Sequence, residues 1–429
     1  MLFKQKMHFL LIINALIAIN TIKPNYNNLL KNKINQISHD LTIVGYPVFA
    51  DGIGRLPIGF IDMLKNDLNI NFINSRPSPP VLIDIPLSVK KIIQNSDKKV
   101  SKIVLFVDLL WTTTLKPDFD YFLRGKIKIA YSMLESSAIP PTWTSILNQD
   151  FDAVIVPDTF VQQVYENSGV KIPIFVLPFN LYLEKFLEKP KKTKLYFGKN
   201  KPFTFGTSCV FDQRKEHALL LDSFVQEFGN SKEICLKIHG RPGDKKVIQN
   251  LRSKIKKYKF RNIKLIENRL TETDYIEFIN SLDCYVFLSK GEGFSVTPRE
   301  AMALGIPCIL TNNSAHKTIC DTGLARPVKC TIKGKAYYEI LGGFIGTNLG
   351  TTISEVRTAL RDVYNNYDYW LNQCGPSREW VKQYLAAELK PYYLSLVKPK
   401  KIFLGKNNVI KRDCIITTSK KLYNKYLNK

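Results

Sequence analysis

Two glutamates lie eight positions apart in the segment of this 429-residue chain whose residue types and spacing best suit chemistry. Glu292 lies in a glycine-flanked loop after a predicted buried strand, and Glu300 lies on the first turn of a predicted helix. Both carboxylates can face one ligand and accept hydrogen bonds from its hydroxyl groups. Gly293 would let the backbone approach that ligand closely.

The start of this helix is a candidate anion site. Thr297 is predicted as the N-cap and Pro298 as the first helical residue. The free amide groups of the first turn carry the positive end of the helix dipole, which attracts an anion. An alternative is a capping box, in which Glu300 bonds back to the Thr297 amide. That alternative leaves Glu292 and Gly293 unexplained.

Residues 289–307 resemble the E-x7-E signature of retaining GT-B glycosyltransferases of the group 1 type, also called family 4. The segment matches the pattern E-G-F-x-x-x-P-x-E-A-M-A-x-G-x-P. Residues 129–135, 153–157 and 210–215 are also similar to that family. The resemblance therefore extends over residues 41–330.

This resemblance implies a role for each residue of the site. The donor would be a nucleotide-diphosphate sugar, with Glu300 on the ribose hydroxyls and Glu292 on a hydroxyl of the transferred sugar. Arg214 and Lys215 would neutralise the diphosphate, whose negative charge grows as the glycosidic bond breaks. Retention of the anomeric configuration is implied, with no metal and no cofactor besides the donor substrate. The amides that would hold the sugar and phosphates belong to Phe294, Ser295, Val296 and Thr297, after Gly293.

Two positions depart from the family pattern. An arginine is often found four residues before the lysine, where this chain has Phe211. The hinge, often Pro-x-Gly-x-Asp, runs from Pro178 to Tyr182 here without the glycine or the acid. Diphosphate binding is therefore expected to depend on Arg214 and Lys215.

Further substrate-binding candidates lie elsewhere in the chain. Gly52 and Gly54 follow the first predicted strand and form either an acceptor or phosphate loop or a plain tight turn. Glu135 ends a strand, where it would contact the acceptor or the donor sugar, or cap a surface turn. His239 ends a strand in the second half and is either a site residue or a buried core histidine.

Two D-x-D pairs, at residues 118–120 and 150–152, have the carboxylates that Mg or Mn prefers. The second pair directly precedes a buried strand, where polar turn residues are expected, and two copies can arise by chance in a chain of this size. No metal site is predicted.

Strands and helices alternate in both halves of the chain and become mostly helical after residue 351. The pattern predicts an α/β fold with two doubly wound, Rossmann-like domains that face each other across a cleft, the GT-B architecture. The expected organisation is a signal-like or anchor segment (1–25), an acceptor domain (41–182), a linker (183–201), a nucleotide-sugar domain (202–375), and a C-terminal helix with a basic tail (376–429).

The composition is globular but strongly basic. Lys and Arg number 62 against 37 Asp and Glu, which gives a formal charge of +25 and attracts polyanions. A general bias toward lysine is the simpler explanation, with the excess spread along the chain except at the tail. No apolar run reaches the ~18 residues of a membrane-spanning helix, which excludes a multi-span membrane protein.

The N-terminus and the cysteines bear on the compartment. Lys4 and Lys6 precede an apolar stretch over residues 9–19, which would be a cleaved signal, a weak interfacial anchor or an ordinary buried segment. Eight cysteines lie between Cys209 and Cys414 without a C-x-x-C pair, which favours a reducing compartment. We expect a cytoplasmic active site, with contact at an anionic membrane as an option and export left open.

The sequence therefore predicts a glycosyltransferase that moves a sugar from a nucleotide-diphosphate sugar to a glycan, lipid or other hydroxyl acceptor. The alternative is a non-catalytic polyanion- or sugar-binding protein that keeps the fold, suggested by the charge, Phe211 and the altered hinge. No specific nucleic acid partner is predicted, and the oligomeric state is left open.

Overall fold

Continuous apolar runs such as Ile103–Val107 form strands that are covered on both faces, which is typical of parallel sheets. The computed structural model describes residues 39–48, 52–76, 78–95, 99–110, 124–190 and 201–397. Residues 37–389 form one compact unit; the other unit, residues 1–36 and 390–429, is described only over 390–397. The signal-like segment, the D-x-D pair at 118–120 and the tail after residue 397 lie outside the described residues.

The first sheet has six parallel strands in the order β2-β1-β3-β4-β5-β6. Its strands are β1 (Leu41–Gly45), β2 (Ile70–Asn74), β3 (Ile103–Val107), β4 (Ile127–Tyr131), β5 (Ala153–Val156) and β6 (Ile174–Val176). The helices that accompany it are α1 (Arg55–Leu64), α2 (Leu87–Gln94), α3 (Pro141–Asp150), α4 (Thr159–Asn167) and α5 (Glu184–Leu187). The order reverses between β1 and β3, the position where ligands bind in open α/β sheets.

The second sheet also has six parallel strands, in the order β12-β11-β10-β7-β8-β9. Its strands are β7 (Phe203–Val210), β8 (Ile234–Arg241), β9 (Ile263–Ile266), β10 (Cys284–Phe287), β11 (Cys308–Thr311) and β12 (Arg326–Val328). The helices between them are α6 (His217–Phe228), α7 (Lys245–Tyr258), α8 (Glu272–Asn280), α9 (Val296–Ala303) and α10 (His316–Cys320). Here the order reverses between β7 and β10. Two doubly wound parallel sheets confirm the predicted fold class.

A two-stranded antiparallel hairpin follows the second sheet, and the sequence pattern did not predict it. Strands β13 (Ile332–Tyr338) and β14 (Gly343–Gly350) are joined through a 3₁₀ turn, Glu339–Leu341. Tyr338, Leu341 and Ile345 pack against the core of the first sheet. The hairpin therefore belongs in sequence to the second sheet but covers part of the first.

The expected helical C-terminus is present as several short helices. They are α11 (Ile353–Asn365), α12 (Tyr367–Asn372), α13 (Cys374–Val381), a 3₁₀ turn (Lys382–Tyr384) and α14 (Ala386–Val397). Helix α11 packs its apolar side into the core of the second sheet through residues such as Val356 and Leu360. Within the described ranges, no helix combines the length and the apolar character needed to cross a bilayer.

Candidate active site

The two predicted cations and the first predicted glutamate lie at the reversal point of the second sheet. Arg214 and Lys215 follow β7 in a 3₁₀ turn, Gln213–Lys215, and Glu292 follows β10. The adjacent strands β7 and β10 are parallel, so the segments that leave their carboxyl ends emerge at the same edge. The strand order thus brings together Lys215 and Glu292, which are 77 positions apart in sequence.

Glu292 forms ion pairs with both cations. One of its oxygens accepts from Lys215 Nζ and, at 2.9 Å, from Arg214 Nη1. The other terminal nitrogen of Arg214 donates to Glu135 Oε1 at 2.9 Å. Glu135 follows β4 of the first sheet, so Arg214 links the two sheets.

Burial and charge act in opposite directions on these groups. Burial alone would raise the pKa of Glu292, but the charges of Lys215 and Arg214 outweigh it and lower that pKa to about 2. Burial would lower the pKa of Arg214, but Glu135 and Glu292 raise it instead. Glu292 and Arg214 are therefore charged at neutral pH, within a cluster of two basic and two acidic side chains.

The loop between Glu292 and α9 has a specific backbone shape. Ser295 adopts a left-handed conformation with φ +67°, and α9 begins at Val296. Thr297 is thus not the N-cap: it lies inside the helix, and its Oγ1 accepts from the Tyr285 hydroxyl at 2.8 Å. Pro298 is the third helical residue rather than the first. The amides of Val296 and Thr297 belong to the first turn of α9, where amide groups lack intrahelical acceptors.

Arg299 holds this loop in place, a role that the sequence pattern did not indicate. The side chain is fully buried, and its Nη1 donates to the carbonyl oxygens of Phe294 and, at 2.9 Å, Ser295. Its guanidinium group lies 4.1 Å from the centre of the Phe294 ring and 4.8 Å from that of Tyr384. Arg299 thereby fixes the backbone whose amides were predicted to contact the donor.

Glu300 does not form the alternative capping box. Its Oε2 accepts from the Tyr275 hydroxyl at 2.6 Å, and its Oε1 accepts from Arg55 Nη1 at 3.3 Å. Tyr275 lies on α8, and Arg55 is the first residue of α1 in the first domain. Glu300 is therefore a second link between the two domains, and both of its carboxylate oxygens have polar partners.

Glycines on both sides of the site permit close packing. A Cβ on Gly293 would lie 3.2 Å from the Met133 sulfur, so the glycine leaves room for this side chain of the first domain. A Cβ on Gly54 would lie 2.6 Å from the Val48 carbonyl oxygen, which accounts for that glycine by packing. Gly52 is exposed and has open space around it. The Gly52–Gly54 turn directly precedes Arg55, the partner of Glu300.

His239 lies apart from these contacts, in the core. Its Nδ1 pairs with Ser208 Oγ at 2.7 Å and its Nε2 with the Asn268 carbonyl oxygen at 3.1 Å. Burial lowers its pKa. This geometry corresponds to the buried-core alternative for His239.

Phe211 and Asp152 also make contacts that belong to the fold rather than to a ligand site. The Phe211 ring is buried against Gly240 and lies 5.1 Å from the His217 ring, where an arginine could not reach a ligand without leaving the core. Asp152 accepts from the Lys128 amide at 2.8 Å, as expected for a turn residue.

In the described ranges, no three His, Cys, Asp or Glu side chains group as metal ligands. The seven cysteines in these ranges are free thiols.

The two facing sheets and the charged cluster at their carboxyl edges define a GT-B fold of the kind found in glycosyltransferases. Residues 189–324 match the family model described as "Glycosyl transferases group 1". That match covers β7 through α10, including Arg214, Lys215, Glu292 and Glu300. No curated protein matches the sequence.

Several solved glycosyltransferase-type structures share this fold. HepE of Anabaena, solved with UDP-glucose, has a TM-score of 0.60 and 11% identity over 83% of this chain and 99% of its own. The α,α-trehalose 6-phosphate synthase of Burkholderia multivorans has a TM-score of 0.58 and 8% identity over 83% and 98%. The pneumococcal O-GlcNAc transferase GtfA, solved with UDP and GlcNAc, has a TM-score of 0.52 and 13% identity over 69% and 56%.

Proposed function

We propose that this protein is a metal-independent, retaining glycosyltransferase that moves a hexose-like sugar from a nucleotide-diphosphate sugar to a hydroxyl acceptor. The observation that carries the proposal is the cluster of Arg214, Lys215 and Glu292 at the reversal point of the second sheet, beside the helix of Glu300. Its support from known proteins is the group 1 match and the UDP or UDP-glucose bound in structures of the same fold.

The charged cluster suits a diphosphate. Arg214 and Lys215 already hold an anion, the Glu292 carboxylate, at hydrogen-bonding distance. A diphosphate would take over these cations, and Glu292 would turn to a hydroxyl of the sugar. Although burial would raise it, the charges of Lys215 and Arg214 lower the pKa of Glu292 to about 2 in this structure, so an arriving donor meets a charged hydrogen-bond acceptor at neutral pH.

Glu300 suits the ribose. A carboxylate has about four acceptor positions, and Tyr275 and Arg55 occupy two of them. The remaining lone pairs can accept from two neighbouring hydroxyls. Arg55 would then couple donor binding at Glu300 to the first domain, because it begins α1 directly after the Gly52–Gly54 turn. We place the acceptor on that side, near this turn and Glu135.

The proposed transfer balances without a protein nucleophile. The bond from the sugar carbon to the diphosphate oxygen breaks, and the acceptor oxygen bonds to the same carbon. The acceptor proton passes to the leaving phosphate oxygen. Arg214 and Lys215 favour this step because they lie where negative charge grows, and Lys215 is 9% exposed, so solvent screens it little.

A thermal-shift panel tests the donor site. UDP, GDP, ADP and their sugar derivatives would be added with EDTA present, with pyrophosphate and heparin as charge controls. We expect one base to stabilise the protein by about 2.7 kcal/mol at a hundredfold excess over its Kd. In Glu300→Ala the Kd should rise by about 10- to 100-fold, as expected when hydrogen bonds to a charged group are lost.

The matched control is Glu166→Gln, an exposed carboxylate on α4. It should leave the shift unchanged. Equal shifts from every anion, or shifts from heparin alone, would favour the non-catalytic polyanion-binding alternative and overturn the proposal. With the donor identified, the anomeric coupling constant in the proton NMR spectrum of the product tests retention.

A further inference from the structure

The positive charge of the described chain is concentrated in one segment. Residues 232–269 hold thirteen Lys and Arg and three Asp and Glu, a net charge of +10. All other described residues together hold 28 basic and 29 acidic side chains. The expectation that the excess is spread along the chain therefore does not hold for the described part. A general bias toward lysine does not produce such a distribution.

Helix α7 lies in the middle of this segment and exposes positive charge on its outer face. It has six basic residues and no acidic one among its 14 positions. Its apolar side chains, such as Leu251 and Ile255, pack into the core of the second sheet. The solvent-exposed lysines of the helix and of its C-cap are Lys245, Lys246, Lys256, Lys257 and Lys259.

These five lysines form few contacts that would stabilise the fold; the amide and the charge of Lys246 help to lower the pKa of the N-cap carboxylate Asp244. Some basic side chains of the segment do form ion pairs: Arg252 with Glu267, Lys254 with Asp222 and Arg269 with Asp84. No salt bridge within the described ranges joins any of the five exposed lysines to a carboxylate. Lys245 and Lys246 also lie at the helix N-terminus, where positive charge opposes the dipole. The cluster is unfavourable for the isolated protein, which points to an external anion.

We propose that the outer face of α7 docks this protein on a lipid bilayer with anionic headgroups. The face is dominated by lysine, and each lysine near such a surface adds attraction. Its exposed uncharged positions are Gln249, Asn250 and Ser253. The aromatic residue of the helix, Tyr258, is half-buried against Asp222 and Phe260 and does not offer an open ring for base stacking. This composition favours a membrane surface over nucleic acid. The proposal is independent of the proposed transfer reaction.

Vesicle co-sedimentation of the full chain tests the proposal. Vesicles of phosphatidylcholine alone would be compared with vesicles containing about one-third phosphatidylglycerol, at about 0.05 and 0.5 M NaCl. We expect binding only to the anionic vesicles and only at low salt. The variant K245Q/K246Q/K256Q/K257Q should bind at least tenfold more weakly.

The matched control removes the same number of charges from exposed lysines of the first domain, K91Q/K102Q/K126Q/K171Q. It should bind anionic vesicles within about twofold of the parent chain. Equal losses in both variants, or no loss in the α7 variant, would overturn the assignment of the surface. A single-stranded RNA that binds more tightly than the vesicles, and loses binding in the α7 variant alone, would overturn the lipid partner. Because no sugar donor is present, failure here leaves the proposed transferase untouched.

Discussion

At the scale of single residues, the site depends on a buried cation that no ligand is expected to touch. Arg299 bonds two carbonyl oxygens of the loop before α9 and stacks on aromatic rings, while its Nε and Nη2 have no hydrogen-bond partner in the described structure. Asp158, the nearest carboxylate, is 4.0 Å from Nη2. This incomplete pairing means that Arg299 stabilises a particular loop shape more than it stabilises the fold.

Replacing Arg299 by Met should separate these two effects. The loss of hydrogen bonds is offset by the removal of a poorly paired buried charge, so the free energy of unfolding should change by no more than about 2 kcal/mol. The loop amides would lose their fixed position, and the Kd of the stabilising nucleotide should rise at least tenfold. Urea denaturation and calorimetric titration measure the two quantities.

Arg299→Lys is the conservative comparison. A lysine keeps the charge but lacks the planar fork, so it should recover only part of the nucleotide affinity. A large loss of stability with unchanged affinity in the folded fraction would show that Arg299 is a core residue without influence on the loop.

Residues such as Arg299 and Tyr275 explain why the sequence predicted only part of the site. Glu292, Glu300, Arg214 and Lys215 follow strands or begin helices, and these positions are recognisable from patterns. Tyr275 contacts Glu300 from the middle of another helix, and its spacing carries no signal. Its hydroxyl reaches the site only because α8 and α9 are brought together by the sheet order.

At the scale of elements, the hairpin β13–β14 fixes the first domain to the second. The Thr347 amide donates to Ser137 Oγ at 2.9 Å, and the Ser137 amide donates to the Thr347 carbonyl oxygen at 3.0 Å. Gly346, which directly precedes Thr347, has φ +61°. Sequence patterns missed the hairpin because its strands contain lysine, glycine and threonine rather than a regular apolar alternation.

Gly346→Ala should loosen the hairpin from the first domain. The new Cβ would lie 2.5 Å from Ser136 Oγ and 2.8 Å from the Ala138 amide nitrogen, and the left-handed backbone adds strain. We expect a local loss of about 1–3 kcal/mol. Hydrogen exchange of the Thr347 amide measures it, since that amide is protected only while the hairpin is docked.

Gly342→Ala is a control with the same backbone strain but without the clash. Gly342 has φ +70°, and a Cβ added there would meet nothing within 4 Å. Protection of the Thr347 amide should stay near its original level. If both substitutions expose that amide equally, strain within the hairpin rather than contact with the first domain determines docking.

At the scale of the whole molecule, the predictable part of the fold is the alternation of strand and helix. Strands such as β3 and β10 are apolar throughout, and these runs are visible in any sequence of this class. The order of strands, the hairpin and the links between domains through Arg214 and Glu300 depend on contacts distant in sequence. They became apparent only from the structure.

The whole molecule should also be sensitive to acid. Burial and the charge of Lys215 lower the pKa of His217 to about 4; burial, Lys215 and Arg299 lower that of His316 to about 4. The unfolded chain protonates these groups near their ordinary pKa of about 6.5. Between pH 6.5 and 4 the unfolded state thus binds more protons, and stability falls as pH falls.

In this pH window the unfolded state should bind up to two more protons than the folded state. The free energy of unfolding should then fall by roughly 3 kcal/mol for each histidine. Urea denaturation at several pH values between 4.5 and 7.5 gives the slope. His316→Asn should reduce the slope by about one proton. A slope that is unchanged in this variant would mean that folding does not lower the pKa of His316.

The docked hairpin has a practical consequence for dividing the protein. A fragment that ends before residue 201 would include every strand of the first sheet but lack Tyr338, Leu341 and Ile345, which cover part of its core. Such a fragment should expose apolar surface and aggregate when produced alone. Supplying residues 201–397 as a second polypeptide should rescue it, so the two halves are better expressed together than apart.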